Sequence, residues 1–432
     1  MSPRSRWRTV AATGWGPLTV VVCLTVVVLA LDDPGAGGRS ATAAGKGAGT
    51  GVTSSTGPAG RIRGYPDVRG AGPGGLVTGG SAQAPGPART AAGGPSTTAP
   101  RPPTTAAPHP VPPATTSSTT TTSGPPPPNP LAAIPLGVFT GASGLSGAAE
   151  VAAFGAATGT HPRDAADYLP GGNGWAQLDG SAGNLASTLQ MWHQSGLRLV
   201  LAVPIIPTAK GVPVATLQAG AAGSYNSYFT TLARTLVAGG EGNAILRPGW
   251  EFDGSWYPWA VSDATSAGWF AAYFRNIVTS MRSVPGAQFL FDWNPSGQDI
   301  SGKGWTIDQA YPGDASVDLV GIDVFDETWQ TPQTPQVCWN SLLTGVDELD
   351  WLAAFGAAHN KPLTIPEWAE TVRSDGHGLG DDPSFVVEMA FWILSHDVAF
   401  TVYFNADESD GTHNLSGGDF PQALGTFRKL FG

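Results

Sequence analysis

Five short segments concentrate the residues able to do chemistry. RPGWEFDGSWYPW carries Arg247, Trp250, Glu251, Asp253, Trp256, Tyr257 and Trp259. DWNPSG carries Asp292, Trp293 and Asn294, and GIDVFDETW carries Asp323, Asp326 and Trp329. TIPEWAE carries Glu367, Trp368 and Glu370, and VYFNADESDG carries Tyr403, Asn405 and Asp407. Carboxylates mixed with indole rings suit one reaction in particular. Glycosidic cleavage needs a carboxylic acid to protonate the leaving oxygen and a second carboxylate on the other side of the sugar. The C–H faces of sugars stack on aromatic rings, and Trp offers the largest such surface. Glu251 and Glu367 are the candidate pair, and a retaining mechanism needs them roughly 5–5.5 Å apart. The same residues also admit a plain structural reading, with rim carboxylates paired to Arg247 or Arg373 and tryptophans in the core. Residue types alone leave both open.

These segments must be positioned, and the pattern around them says how. Apolar runs of strand length alternate with helical patterns from Leu136 onward. The expected strands are Leu136–Thr140, Phe154–Thr158, Leu199–Pro204, Ala244–Pro248, Gln288–Trp293, Val317–Val324, Pro362–Pro366 and Ala399–Phe404. The expected helices are Leu185–Gly196, Tyr225–Val237, Trp269–Met281, Leu349–His359, Phe385–Leu394 and Phe420–Phe431. The strands are apolar on both faces, as buried parallel strands must be. Eight strand–helix units predict an α/β chain folded as a single (β/α)8 TIM barrel. Chemistry in that fold lies at the C-terminal ends of the strands, where all five segments fall. A doubly wound sheet is the alternative, but LGVFTGASG after the first strand lacks a Gly-rich phosphate turn.

Composition separates this domain from what precedes it. Of the 22 basic and 33 acidic residues in the 432-residue chain, residues 1–133 hold 10 and 3, a net of +7. Residues 134–432 hold the other 12 and 30, a net of −18, with 13 of the 15 Trp. So acidic a domain repels phosphate backbones, which excludes a nucleic-acid binder. Cys23 and Cys338 make neither a disulfide framework nor a thiolate zinc site.

At the N-terminus, Arg4, Arg6 and Arg8 precede an uncharged apolar run from Leu18 to Leu31. Residues 1–31 therefore read as a signal peptide or a single-pass membrane anchor, with possible membrane anchorage through residues 10–31. Either way the C-terminal domain lies outside. Residues 32–133 are rich in Gly, Ala, Pro, Thr and Ser and cannot bury enough apolar surface to order, which predicts a disordered linker. Competing motifs fail. Gly297 to Lys303 approaches a phosphate loop, but Gly304 stands where Ser or Thr is required. There is no G-x-S-x-G elbow. The seven His show no metal spacing, and Asp407, Glu408 and Asp410 read as a solvated loop or a calcium-holding one. No metal or cofactor is expected.

RPGWEFDGSWYPW resembles the acid/base segment of glycoside hydrolase family 26, the β-mannanase family of the retaining (β/α)8 clan. FDWNP, YPGDASVDLVGIDVFD, LDWLAAFGAAHNKPLTIPEWAE and VYFNADESDGTH match in order, so the resemblance covers about residues 134–432. It implies Glu251 as proton donor and Glu367 as nucleophile, with Arg247 supporting the nucleophile and Trp256, Trp293 and Tyr403 lining sugar subsites. Trp250, Asp253, Trp259, Asn294, Asp323, Trp329 and Trp368 complete the expected substrate-binding set. The chain departs from the pattern at Trp250, where His is common, at Asp253, where Asn is usual, and at Phe325, where the sixth strand usually offers a Tyr that hydrogen-bonds the nucleophile. Other members of the family cut mixed-linkage β-glucan or β-1,3-xylan. The expectation is an exported, monomeric, retaining endo-β-glycanase that takes mannan or a related β-linked polysaccharide. The competing expectation is a catalytically impaired barrel that binds polysaccharide or wall glycan.

Overall fold

The computed structural model describes residues 129–141, 146–210, 215–297 and 299–432. The expected signal or anchor segment and most of the expected linker lie outside these residues. The path begins with β1 (Leu136–Phe139), α1 (Gly147–Thr158), β2 (Asp164–Tyr168), α2 (Trp175–Leu178), α3 (Leu185–Ser195), β3 (Arg198–Val203), α4 (Leu217–Ala221), α5 (Asn226–Ala238) and β4 (Ile245–Pro248). It continues through α6 (Ala264–Arg282), β5 (Leu290–Trp293), β6 (Leu319–Asp326), α7 (Pro335–Thr344), α8 (Leu349–His359) and β7 (Leu363–Glu370). It ends with β8 (Val372–Arg373), α9 (Pro383–Ser395), β9 (Val398–Phe404), β10 (Gly411–Thr412) and α10 (Pro421–Phe431). β1 to β7 and β9 form a closed parallel barrel in chain order, sealed by β9 pairing with β1. The fold is the expected (β/α)8 barrel. β8 and β10 make a small antiparallel pair beside it.

The second strand is not where the apolar pattern put it. Phe154–Thr158 is the last part of α1, an alanine-rich helix that stops at Gly159 in a left-handed turn, φ 75°. β2 is instead DAADY, whose two aspartates hide it from an apolar-run search. Both are buried with partners. Arg198 donates to both oxygens of Asp164 at 2.9 and 2.8 Å, and the Trp192 indole N–H donates to Asp167 at 2.8 Å. The helix α7, absent from the apolar pattern, is started by Thr334, which caps the backbone N–H of Val337, with Pro335 in the first turn. The N-terminal edge of the domain also lies before residue 134. Leu131 is buried in the core, and the Asn129 side-chain amide donates to the Leu430 carbonyl at 2.6 Å.

The seventh strand carries a bulge. Against β6, Gly321 pairs with Thr364 but Asp323 pairs with Glu367. Against β9, Ile365 pairs with Thr401 but Trp368 pairs with Tyr403. β7 thus uses three residues where each neighbour uses two. The extra residue falls beside Pro366, which has no N–H to give a ladder and is tolerated in a central strand at such an irregularity. The consequence is one of parity. The Thr364 hydroxyl donates to Asp292 inside the barrel at 2.8 Å. Strict alternation from Thr364 would turn Glu367 outward, and the bulge turns it back in.

Gly321 leaves the room this bulge needs. A Cβ there would collide with Thr364 Oγ1 and come within 2.9 Å of Pro366 Cγ. Gly321→Ala should therefore cost about 1–3 kcal/mol of stability, a drop of several degrees in melting temperature measured by calorimetry.

Candidate active site

The C-terminal mouth of the barrel is built around one buried cation. Arg247, at the end of β4, is 1% exposed. Its Nε donates to Asn294 Oδ1 at 2.7 Å, and Nη2 also donates to that oxygen. Nη2 further donates to Asp323 Oδ1 and Oδ2 at 3.1 and 2.9 Å and to Glu367 Oε1 at 2.9 Å. One guanidinium thus ties together the ends of β5, β6 and β7. Burial by itself would lower its pKa, but the charges of Asp323 and Glu367 outweigh that and raise it, so Arg247 stays a cation. Beneath it, burial pushes the Asp292 carboxyl up to about 6 against the opposing pull of Arg247.

Glu251 enters from the turn after β4. Its φ is 52°, a left-handed conformation uncommon outside glycine. Its backbone N–H donates to the Asn294 carbonyl at 2.8 Å, and its Oε2 accepts from the Trp256 indole at 2.9 Å. A strained residue held by hydrogen bonds at both ends is a feature of functional sites. Carboxylate oxygens of Glu251, Asp323 and Glu367 lie within 4.8 Å of one another, and all three residues are buried. That separation is short enough for two carboxylates to act on the same bond from opposite sides and too short for a water to sit between them as an inverting mechanism requires. Three carboxylates at such range could also ligate a metal, but two of them already share the Arg247 guanidinium, which supplies the compensating charge.

One member of the site escaped the sequence. Tyr168, the last residue of β2, donates its hydroxyl to Glu367 Oε1 at 2.5 Å. Its ring packs edge-on against Phe139 at 4.8 Å and Trp250 at 5.4 Å. The misplaced second strand concealed it. With DAADY recognised as a strand, its terminal Tyr would have stood at a C-terminal end like the other candidates.

The aromatic candidates divide. Trp256 is half-buried at the mouth, on Glu251. Trp250 is buried beside Tyr168, with its indole N–H donating to the Tyr257 hydroxyl at 3.1 Å. Trp259 is buried behind it and donates to the Trp250 carbonyl at 2.8 Å. Trp329 is 54% exposed on the rim, stacked on His377 at 5.0 Å, with the Arg373 guanidinium 5.5 Å from its ring centroid. Trp293, Trp368 and Tyr403, expected in the substrate-binding set, face outward into the layer between sheet and helices. Trp293 packs on Phe252 and Phe355, and Trp368 on Phe385, Phe427 and Phe431. Tyr403 packs on Phe154 and Phe427 and donates to Glu370. The reason is alternation, since each neighbours an inward-facing residue in sequence. Asp253 is buried as a loop tie, accepting from the backbone N–H and hydroxyl of Ser296 at 2.7 and 2.9 Å. In the loop weighed for calcium, Asp410 pairs with Arg373 at 3.2 Å and Asp407 accepts from the Thr412 hydroxyl.

Behind β7 lies a second acidic group. Burial, together with the charge of Asp382, pushes the Asp326 carboxyl up to about 8, and burial pushes Glu370 up to about 7. Glu327 and Cys338 also adjoin Asp326. These carboxyls keep their protons in the folded state over a range where an unfolded chain has lost them. Folding therefore takes up protons, and stability falls as pH rises from about 4 to about 8. Asp326→Asn should raise the melting temperature by several degrees at pH 8 and by much less at pH 5, as read by thermal melts across that range.

The family model described as Glycosyl hydrolase family 26 matches residues 232–347, a span that holds Arg247, Glu251, Asn294 and Asp323 and ends before Glu367. Endoglucanase H of Acetivibrio thermocellus is 29% identical over 217 residues, covering 49% of this chain and 22% of that protein. A mannan endo-1,4-β-mannosidase of Bifidobacterium adolescentis is 27% identical over 188 residues, covering 43% and 18%. The chain thus spans about a fifth of the length of the curated relatives it matches. A modular endo-β-1,4-mannanase from Cellulomonas fimi has the same fold, with a TM-score of 0.50 at 19% identity over 69% of this chain and 70% of that one. The matched span runs through the fourth, fifth and sixth strands of the closed eight-stranded barrel, so the chain is similar to glycosyl hydrolase family 26 where Arg247 and Glu251 stand.

Proposed function

We propose that this chain is an exported, retaining endo-β-glycanase that cleaves mannan or a related β-linked polysaccharide by double displacement. Glu367 attacks the anomeric carbon while Glu251 gives its proton to the departing glycosidic oxygen, leaving a glycosyl ester on Glu367. Glu251, now ionised, takes a proton from water as that water attacks the same carbon, and Glu367 leaves as a carboxylate. The approach of the Glu251 and Glu367 carboxylates to within 4.8 Å carries this reading. It matches the separation of retaining rather than inverting enzymes. Arg247 donates to Glu367 Oε1 at 2.9 Å and so sets a fixed positive charge against the attacking group. The two curated relatives, an endoglucanase and a mannan endo-mannosidase, support β-linked polysaccharide as the substrate class. The intact carboxylate pair favours a working enzyme over a barrel that only binds glycan.

The test is reducing-sugar release by the full chain on mannan, glucomannan, lichenan, β-1,3-xylan and cellulose. Release on at least one substrate is expected, falling at least about a thousandfold in Glu367→Ala. No release by a folded protein that still binds a glycan column would overturn the enzyme reading.

The two faces of the barrel wall should also separate in kinetics. Trp256→Phe removes the donor to Glu251 and should lower kcat/KM with little change in melting temperature. Trp368→Phe trims the outer core and should lower the melting temperature by a few degrees with KM unchanged.

A further inference from the structure

We propose that Tyr168 is the positioning residue of Glu367 and that its hydroxyl acts mainly in the second half of the reaction, when Glu367 departs. This rests on the glycosidase reading above. Past Asp323, which pairs with Glu367 across the ladder, the next sixth-strand position on the inner face is Phe325. Phe325 brings a ring without a hydroxyl and packs on Phe404 and His413. The hydroxyl arrives instead from the second strand. Tyr168 and Arg247 donate to the same oxygen, Glu367 Oε1, at 2.5 and 2.9 Å, from strands β2 and β4. Two donors from separate strands fix the rotation of the carboxylate. The Tyr168 ring cannot swing away, because Phe139 and Trp250 hold it on two sides.

The chemical consequence follows from where charge resides. In double displacement the nucleophile attacks as a carboxylate and is an ester in the intermediate. A donor on Oε1 is strongest with the anion, so it favours the step in which the ester C–O bond breaks and the carboxylate reappears. Removing the hydroxyl makes Glu367 a poorer leaving group, and the glycosyl ester accumulates.

The experiment compares the full chain with Tyr168→Phe on dinitrophenyl β-mannobioside and β-cellobioside, activated substrates that make the first step fast. The substitution keeps the ring, so near-UV circular dichroism and melting temperature should match the parent. A fall in kcat of about tenfold to a hundredfold is expected, the loss of one hydrogen bond to a charged group. KM should fall with it, and a burst of dinitrophenol should appear before steady state. A folded variant that keeps kcat, KM and burst amplitude within about twofold of the parent overturns the proposal, while the parent's own turnover leaves the glycosidase reading standing. An equal fall in kcat and kcat/KM without a burst also overturns it, because the hydroxyl would then act on the first step. A parent inactive on both probes and on every polysaccharide above would overturn the glycosidase reading and this one with it.

Discussion

The mouth of this barrel depends on a single buried guanidinium. Arg247 has almost no contact with solvent, so its charge must be answered within the protein. Asp323 and Glu367 answer it, and Asn294 accepts the remaining bonds. That requirement draws the ends of three further strands toward β4 and sets the rotation of each side chain. A lysine would carry the charge but not the planar fork that reaches several acceptors at once. The acidic balance of the domain has its local counterpart here, where a cluster of carboxylates is bearable because one arginine sits among them.

Around this centre the barrel divides labour between its two faces. Inward from the strand ends stand Arg247, Asp323, Glu367 and Tyr168, with Glu251 swung in by its left-handed turn. Outward stand Trp293, Trp368 and Tyr403, which lock the sheet to the helices that surround it. The outer layer gives the inner one its stiffness. Trp368 follows Glu367 directly, so the packing of its indole on α9 and α10 holds the same stretch of backbone that carries Glu367. The buried carboxyls of Asp326 and Glu370 sit on this outer side, and there burial is answered by protons rather than by a cation.

Two irregular features lie where the chemistry would be. The bulge beside Pro366 lies one residue before Glu367, and Glu251 itself is left-handed, as Asp347 and Asn360 are elsewhere in the described residues. A regular strand and a regular turn would each aim the wrong residue at the mouth. Local regularity is given up at both carboxylates, and the closed ladder on either side holds the exceptions in place.

Much of this was legible in the chain alone. Seven of the eight barrel strands follow from local apolar periodicity, which is written residue by residue. The grouping of Arg247, Glu251 and Glu367 follows because each ends a strand of the same barrel. What sequence could not decide was anything that depends on partners distant along the chain. β2 is stabilised by Arg198 and Trp192, which bury its aspartates, so its five residues do not look like a strand in isolation. With that strand hidden, Tyr168 was hidden too. Alternation could have warned that Glu367 and Trp368 point to opposite faces, but it could not say which faces inward. The bulge reverses the parity established by Thr364, and a bulge exists only in the pairing of β7 with its neighbours. Residue types decided what chemistry was possible, and the register of the closed sheet decided which residues meet to do it.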